Sequence, residues 1–86
     1  MKVLIPQPLR SYTNQESQVS AAGETLSELL TDLDRQYPGI RFRIINEQDE
    51  MRPHVVFFVR GEKTRNIDES LQGSEEVVIV QALSGG

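Results

Sequence analysis

The stretch TLSELLTDLDRQYPGI, residues 25–40, carries the clearest structural signal in this 86-residue chain. Thr25 can cap a helix, and Glu28 three residues later completes a capping-box pattern. The apolar side chains then recur at helical spacing: Leu26, Leu29, Leu30, Leu33 and Tyr37. A Pro-Gly pair at positions 38 and 39 ends the pattern. The stretch therefore predicts an amphipathic helix over Leu26–Gln36 that covers one face of a sheet.

On both sides of this helix, the chain carries short runs that are typical of β-strands. We predict strands over residues 2–5, 18–21, 54–59, 63–65 and 76–80. The segment 40–45 fits a helix weakly, 46–52 is predicted to be an acidic loop, and 67–71 is predicted to form a single helical turn.

The order of these elements predicts an α+β fold with a mixed sheet of four or five strands and one main helix on one face. The first two strands suggest a hairpin, and a right-handed crossover then lets the first and last strands pair in parallel. This arrangement is a ubiquitin-like β-grasp. We assign residues 1–80 to the β-grasp domain and residues 81–86 to a flexible C-terminal tail ending in Gly-Gly.

The composition excludes several classes of function. A net charge of −4 disfavours nucleic acid as a partner, because binding it requires phosphate neutralisation. The absence of cysteine excludes disulfides, thiolate metal sites and cysteine nucleophiles. No apolar run is long enough to span a membrane and no signal-peptide pattern is present, so we expect no membrane association and a cytoplasmic location.

No intrinsic catalytic residue and no metal site are predicted. The sequence lacks a glycine-rich phosphate loop that would bind ATP. His54 is the single histidine, and we interpret it as a structural residue at the start of a strand. Arg41, Arg43 and Arg52 could form an anion site, although surface ion pairs with the acidic loop are the simpler interpretation. We therefore expect a protein that is not an enzyme.

Both faces of the predicted strands 54–59 and 76–80 are apolar, because large side chains occupy alternate and intervening positions alike. One helix covers only one face, so we expect the other to form a partner surface. An alternative stays open, in which the segment 40–52 folds over the second face or the stems of flanking Arg and Lys side chains mask it. Acidic residues could steer a basic partner towards the domain: Asp49, Glu50, Glu75 and Glu76.

The C-terminal residues suggest chemistry that a partner would perform. When extended, residues 81–86 reach about 20 Å, enough to place the terminal carboxylate in another protein's active site. Gly85 and Gly86 lack a Cβ atom, so they can pass a narrow channel and leave the last carbonyl carbon open to attack. A free carboxylate is a poor electrophile, so an enzyme must activate it. A frayed terminus without function is the alternative.

With its β-grasp order, the helix at 25–40, the VRGE turn at 59–62 and the LSGG ending, the whole chain resembles the ubiquitin-like sulfur carriers of the MoaD/ThiS type. The resemblance implies that an ATP-dependent E1-like enzyme adenylates Gly86 and converts it to a thiocarboxylate. ATP and a sulfur donor would serve that enzyme, and the carrier would bind no cofactor. By the same resemblance, Leu83, Ser84 and Gly85 thread into the partner's active site. Phe58 and Val80, with Leu83, would form the docking surface.

Within this family, the stretches at 5–13, 32–41 and 82–86 are most similar to the carriers of cysteine biosynthesis. There the thiocarboxylate attacks an activated serine derivative, so the resemblance implies a sulfur-accepting synthase and a JAMM-type metalloprotease as partners. Two other assignments stay open. One is the small subunit of molybdopterin synthase, which gives sulfur to a pterin precursor. The other is a ubiquitin-like modifier, which passes its activated carboxylate to lysines.

Overall fold

A mixed five-stranded sheet organises residues 1–82, the part of the chain that the computed structural model describes. The strands are β1 (Lys2–Leu4), β2 (Gln18–Ser20), β3 (Val55–Val59), β4 (Glu62–Thr64) and β5 (Glu76–Gln81). The helices are α1 (Leu26–Gln36) and α2 (Ile40–Ile44), and a short 3₁₀ turn covers Gln7–Leu9.

The strand order across the sheet is β2-β1-β5-β3-β4. The central strands β1 and β5 run parallel, and every other neighbouring pair is antiparallel. The β1–β2 hairpin therefore precedes the helical crossover, and the last strand inserts between β1 and β3. This topology confirms the predicted β-grasp fold.

Helix α1 begins and ends where the sequence predicted. The Thr25 hydroxyl accepts a hydrogen bond from the Glu28 backbone N–H at 3.2 Å, and the Glu28 carboxylate accepts one from the Glu24 N–H at 2.9 Å. These bonds satisfy donors that a helix start leaves open. The four leucines of the stripe are fully buried, as the helical spacing requires.

The predicted helical turn at 67–71 is wrong. Residues 67–68 form a turn, and Ser70 pairs with Thr25 in an isolated antiparallel bridge. The carbonyl oxygens of Ile67 and Glu69 accept hydrogen bonds from the backbone N–H groups of Ser27 and Leu26, at 2.7 and 3.1 Å. The segment forms no helical turn over 67–71 because its carbonyls satisfy open donors in the first turn of α1.

The remaining differences are shifts of strand ends by one residue. Arg60 and Gly61 both have positive φ angles, 53° and 79°, and they connect the paired residues Val59 and Glu62. Two positive φ values in a two-residue loop are typical of a tight hairpin turn, so β4 begins directly after Gly61 at Glu62. The predicted helix at 40–45 is confirmed as α2.

The core lies on one face of the sheet only. Buried side chains of the segment 40–51 join the leucines of α1 and the inward residues of the strands in a single cluster. The contributions of that segment are Ile40, Ile44, Ile45 and Met51. The alternative that 40–52 folds over the second face is therefore wrong, because these four apolar side chains are buried in the same core as α1.

Candidate functional site

The second face of the sheet presents a continuous apolar patch, which we call the open face. Its members alternate with fully buried residues along β1, β3 and β5, as strand geometry requires. They are Leu4, Val56, Phe58, Val78 and Val80. The first four are partly buried, and Val80 has an exposed fraction of 36%.

The strand register brings these side chains together. Val78 lies between Leu4 on one side and Phe58 on the other, and Val56 is paired with Val80. Phe58 and Val80, the two docking residues expected from the resemblance, therefore share this face and are diagonal neighbours. Their role in docking stays a prediction. Leu4 was not predicted from the sequence as part of this surface. Its position next to the buried Val3 in β1 could have indicated that it lies on the opposite face.

Polar residues border the open face. Lys63 on the edge strand β4 is paired with Phe58, and Gln18 on β2 is paired with Leu4. At the far end, the Lys2 ammonium forms an ion pair with the Glu76 carboxylate at 3.1 Å. An apolar centre with a polar rim is the usual anatomy of a protein interface.

The last strand, β5, ends beside this face. Gln81 is paired with Val55, and the Ala82 N–H donates a hydrogen bond to the His54 carbonyl oxygen at 2.9 Å. The strand thus continues one residue past the predicted end at Val80. The residues predicted to enter a partner's active site and carry the reactive group lie outside the described residues: Leu83, Ser84, Gly85 and Gly86. Their roles stay predictions.

The three arginines considered as an anion site, Arg41, Arg43 and Arg52, make different contacts. Arg41 forms an ion pair with Asp49 at 3.4 Å, which confirms the simpler interpretation for this residue. The Arg52 guanidinium carbon lies 4.6 Å from the centroid of the Phe42 ring, a cation–π contact. Across residues 1–82, Arg43 and Arg52 form no ion pair.

The main feature of residues 1–82 outside the core is the partly exposed apolar open face. In residues 1–82, no three His, Asp or Glu side chains are grouped as metal ligands. None of the helices in this region is both long and apolar enough to cross a membrane. The geometry of these residues combines an apolar face with a last strand, β5, that lies between β1 and β3 in the sheet.

The protein-family model that matches this chain includes both the strands of the open face and the C-terminal residues. The description of the matching family is "ThiS family", and the match extends over residues 3–86. This chain belongs to the ThiS family. The family resemblance inferred from the sequence is thereby confirmed.

Two relatives with recorded functions are similar to this ThiS-family chain over most of its length. The sulfur carrier protein CysO of Mycobacterium tuberculosis is 32% identical over 89 residues, which cover 98% of this chain and 96% of the relative. The molybdopterin synthase sulfur carrier subunit of Emericella nidulans is 31% identical over 81 residues, which cover 88% of this chain and 86% of that protein.

Solved structures of ThiS-family relatives share the fold. The crystal structure of M. tuberculosis CysO matches with a TM-score of 0.87 at 29% identity, over 95% of this chain and 98% of that chain. A chain in the crystal structure of the Amycolatopsis orientalis BexX/CysO complex matches with a TM-score of 0.89 at 27% identity, over 99% and 98%. The second structure records a CysO protein in a complex with another protein.

Proposed function

We propose that this chain is a sulfur carrier protein with Gly86 as its reactive residue. An E1-like enzyme joins the Gly86 carboxylate to the α-phosphate of ATP, and pyrophosphate leaves. A hydrosulfide equivalent then attacks the acyl carbon, AMP leaves, and a thiocarboxylate remains on the carrier. A second enzyme receives the tail and takes the sulfur. The carrier itself is a co-substrate and performs no catalysis.

The observation that carries this proposal is a family match that continues through the terminal Gly-Gly to residue 86. The relatives named as sulfur carriers support it, since two of them are more than 30% identical to this chain. The composition agrees, because a chain without cysteine has no thiol of its own on which to hold sulfur.

The fold would hold the start of the tail in a defined position. Strand β5 is paired with β1 from Glu76 to Val78 and with β3 from Val77 to Gln81, so pairing with β3 fixes the position of the last residues of the strand. The four residues after Ala82 would span at most about 14 Å when extended. An enzyme that receives Gly86 must therefore approach this end of the sheet, and the open face beside it offers Phe58 and Val80 as contacts.

We place the carrier in cysteine biosynthesis, where the thiocarboxylate would attack an activated serine derivative held by a synthase. Similarity to CysO over nearly the whole of both chains favours this pathway. A JAMM-type metalloprotease would then release the amino acid. The molybdopterin pathway is the second candidate, because the E. nidulans subunit is almost as similar to this chain.

The decisive test is intact-mass spectrometry of the purified chain after incubation with an E1-like enzyme, ATP and sulfide. We expect a mass gain equal to the difference between one sulfur and one oxygen atom. A variant that lacks Gly86 should gain no mass and should unfold at the same temperature as the full chain. Isopeptide-linked Gly86 on other proteins, with no sulfur gain, would identify a protein modifier instead.

The two pathways can be separated with the loaded carrier. In the cysteine pathway, a cognate synthase and an activated serine derivative should give a carrier with one cysteine attached to its C-terminus. In the molybdopterin pathway, the loaded carrier should return to its original mass only with the large synthase subunit and the pterin precursor. The same carrier preparation serves as the control for both reactions.

A further inference from the structure

A pocket of about 340 Å³ lies at the start of β3, beside the point where the C-terminal segment leaves the sheet. It is lined by Phe42, Arg43, Arg52, His54, Val55 and Gln81. We call it the cationic pocket. Gln81 and Val55 are paired across the β3–β5 ladder, so the pocket lies at the C-terminal end of β5, directly before the tail.

The positive charges at this pocket are not neutralised within the described residues. Four other cationic side chains of residues 1–82 form ion pairs: Lys2, Arg35, Arg41 and Arg60. Arg52 instead donates from Nε to the Phe42 carbonyl oxygen at 2.7 Å. Neighbouring Arg65 donates to the carbonyl oxygens of Met51, Arg52 and Val55. Carbonyl oxygens carry no net charge, so the guanidinium charges remain available to an anion.

Two further features indicate that the pocket is a contact site. Phe42 has an exposed fraction of 53%, the largest among the exposed large hydrophobic side chains of residues 1–82. The side-chain oxygen Oε1 of Gln81 is buried and has no hydrogen-bond partner in the described part of the chain. Buried acceptors without a partner are uncommon in folded proteins. A peptide segment could supply an apolar contact and an N–H donor as well as negative charge.

The start of β5 lacks the free positive charge of the cationic pocket. Glu75 and Glu76 lie at the start of the strand, and the pocket lies at its end, about 17–20 Å away for a strand of this length. Glu76 is paired with Lys2, whereas Arg43 and Arg52 at the pocket form no ion pair within residues 1–82. An acidic partner surface would therefore be attracted to the pocket, which differs from the expectation that the acidic residues steer a basic partner.

We propose that the cationic pocket binds a carboxylate-rich segment of the E1-like enzyme that activates the C-terminal tail. The inference rests on the proposed function. The enzyme is the favoured occupant because Gly86 lies four residues after Ala82, so a site that takes Gly86 brings its own surface to within about 14 Å of the pocket. Arginine forks fit carboxylates in a bidentate geometry. The pocket and the tail then act as two linked contacts, which strengthens binding without a larger interface.

The test compares two charge reversals of equal size. Arg43→Glu changes the pocket at a side chain that makes no hydrogen bond within residues 1–82, and Arg35→Glu changes an exposed position on α1. Sulfur loading by the E1-like enzyme is measured at a series of salt concentrations. We expect Arg43→Glu to raise the KM for the carrier about tenfold at low salt, with kcat unchanged and a weaker salt dependence. Arg35→Glu should change KM less than about twofold. Arg43→Lys keeps the charge but loses the planar fork, so it should raise KM less than Arg43→Glu does.

Equal effects of Arg43→Glu and Arg35→Glu would overturn the proposal, because net charge alone would then explain them.

If the unaltered chain gains no sulfur, the proposed function fails, and a second measurement judges the pocket separately. In that experiment hexaglutamate is titrated into the full chain, and the Arg side-chain N–H and Gln81 amide signals are followed by NMR. Selective shifts that Arg43→Glu abolishes would support the pocket. Equal shifts with inorganic phosphate, or no shifts, would refute a carboxylate-rich partner.

Discussion

The two faces of the sheet have similar amino acids and opposite surroundings. Phe57 and Phe58 are consecutive residues of β3, yet Phe57 is fully buried against the helices while Phe58 lies on the open face. The same contrast separates Ile79 from Val80 on β5. Alternation along a strand assigns neighbours to different faces. Side-chain chemistry alone therefore does not separate the residues that hold the fold from those available to a partner.

The two faces differ in burial because the helices of this domain pack against only one of them. Helices α1 and α2 both pack on the side of Phe57, where they contribute Leu30, Leu33 and Ile44 to one core. No helix among the described residues is left for the side of Phe58. The open face therefore keeps apolar area that the domain does not bury itself, and such area usually marks an interface.

The largest effect on stability is expected from Phe57→Ala. Truncating a fully buried phenylalanine leaves a cavity and should lower the free energy of unfolding by about 3–5 kcal/mol. That is a large part of the stability of a domain of this size. Urea denaturation followed by circular dichroism measures the change. A loss no greater than that of Phe58→Ala would contradict the contrast between the faces.

A smaller loss of stability is expected from Gly23→Ala, which tests how closely helix α1 packs against the loop that precedes it. A Cβ atom at position 23 would lie 2.4 Å from the Leu29 backbone nitrogen and 2.8 Å from the Glu28 carbonyl carbon. Backbone atoms of a helix cannot move aside independently, so α1 must shift relative to the preceding loop. We expect a loss of about 1–3 kcal/mol in the same denaturation experiment. Gly73→Ala serves as a comparison, because an added Cβ there meets no atom within 4 Å even though its φ is positive.

Phe58→Ala should separate stability from binding. Its partners across the sheet are Val78 and Lys63, and losing these contacts should cost about 1 kcal/mol or less in unfolding. If the open face is the docking surface, the KM of the E1-like enzyme for this variant should rise while its unfolding changes little. Phe57→Leu, which alters the covered face conservatively, is the control. An unchanged KM would remove Phe58 from the docking surface.

The smallest effect concerns Asp32, which connects the covering helix to the chain after β2. Its carboxylate accepts hydrogen bonds from the Arg35 guanidinium, the Ala22 backbone N–H and the Gln36 amide. The Arg35 bond, followed by the Ala22 bond, lowers the pKa of Asp32 below its usual value. A lowered pKa in the folded state adds stability above the ordinary carboxyl pKa, and this contribution is lost as the pH falls through the folded value.

The Asp32→Asn variant should therefore be less stable than the unaltered chain at neutral pH. The difference between them should shrink as the pH falls below the ordinary carboxyl range, because Asp32 then becomes neutral in both states. Thermal unfolding of both proteins between pH 7 and pH 2 measures this. A difference that is independent of pH would contradict the assigned pKa shift.

Much of the fold could be predicted because local patterns and tertiary contacts agree. The capping residues and the leucine stripe predicted the bounds of α1, and the short apolar and alternating runs with the turn at 60–62 predicted each of the five strands to within one residue. The segment 67–71 was predicted wrongly because its structure depends on donors at the start of α1, a region some 40 residues earlier in the sequence. No local pattern contains that information.

The candidate site was only partly predictable. Phe58 and Val80 were expected to share a face, and the β3–β5 register places them there. The cationic pocket combines Phe42, Arg52 and Gln81 from three segments, and sequence reasoning had treated Arg52 only with Arg41 and Arg43. Whether an arginine is neutralised depends on which carboxylate the fold brings within reach, and Arg41 alone of these three finds one.

The sequence by itself determined the element order, the bounds of α1, the absence of cysteine chemistry and the Gly-Gly terminus. These features depend on residue identity and on spacing within a few turns or strands. Only the tertiary structure decided which sheet face the helices cover, which arginines keep a free charge and where the tail leaves the domain. Those properties depend on contacts between residues far apart in the chain, and such contacts exist only once the sheet has formed.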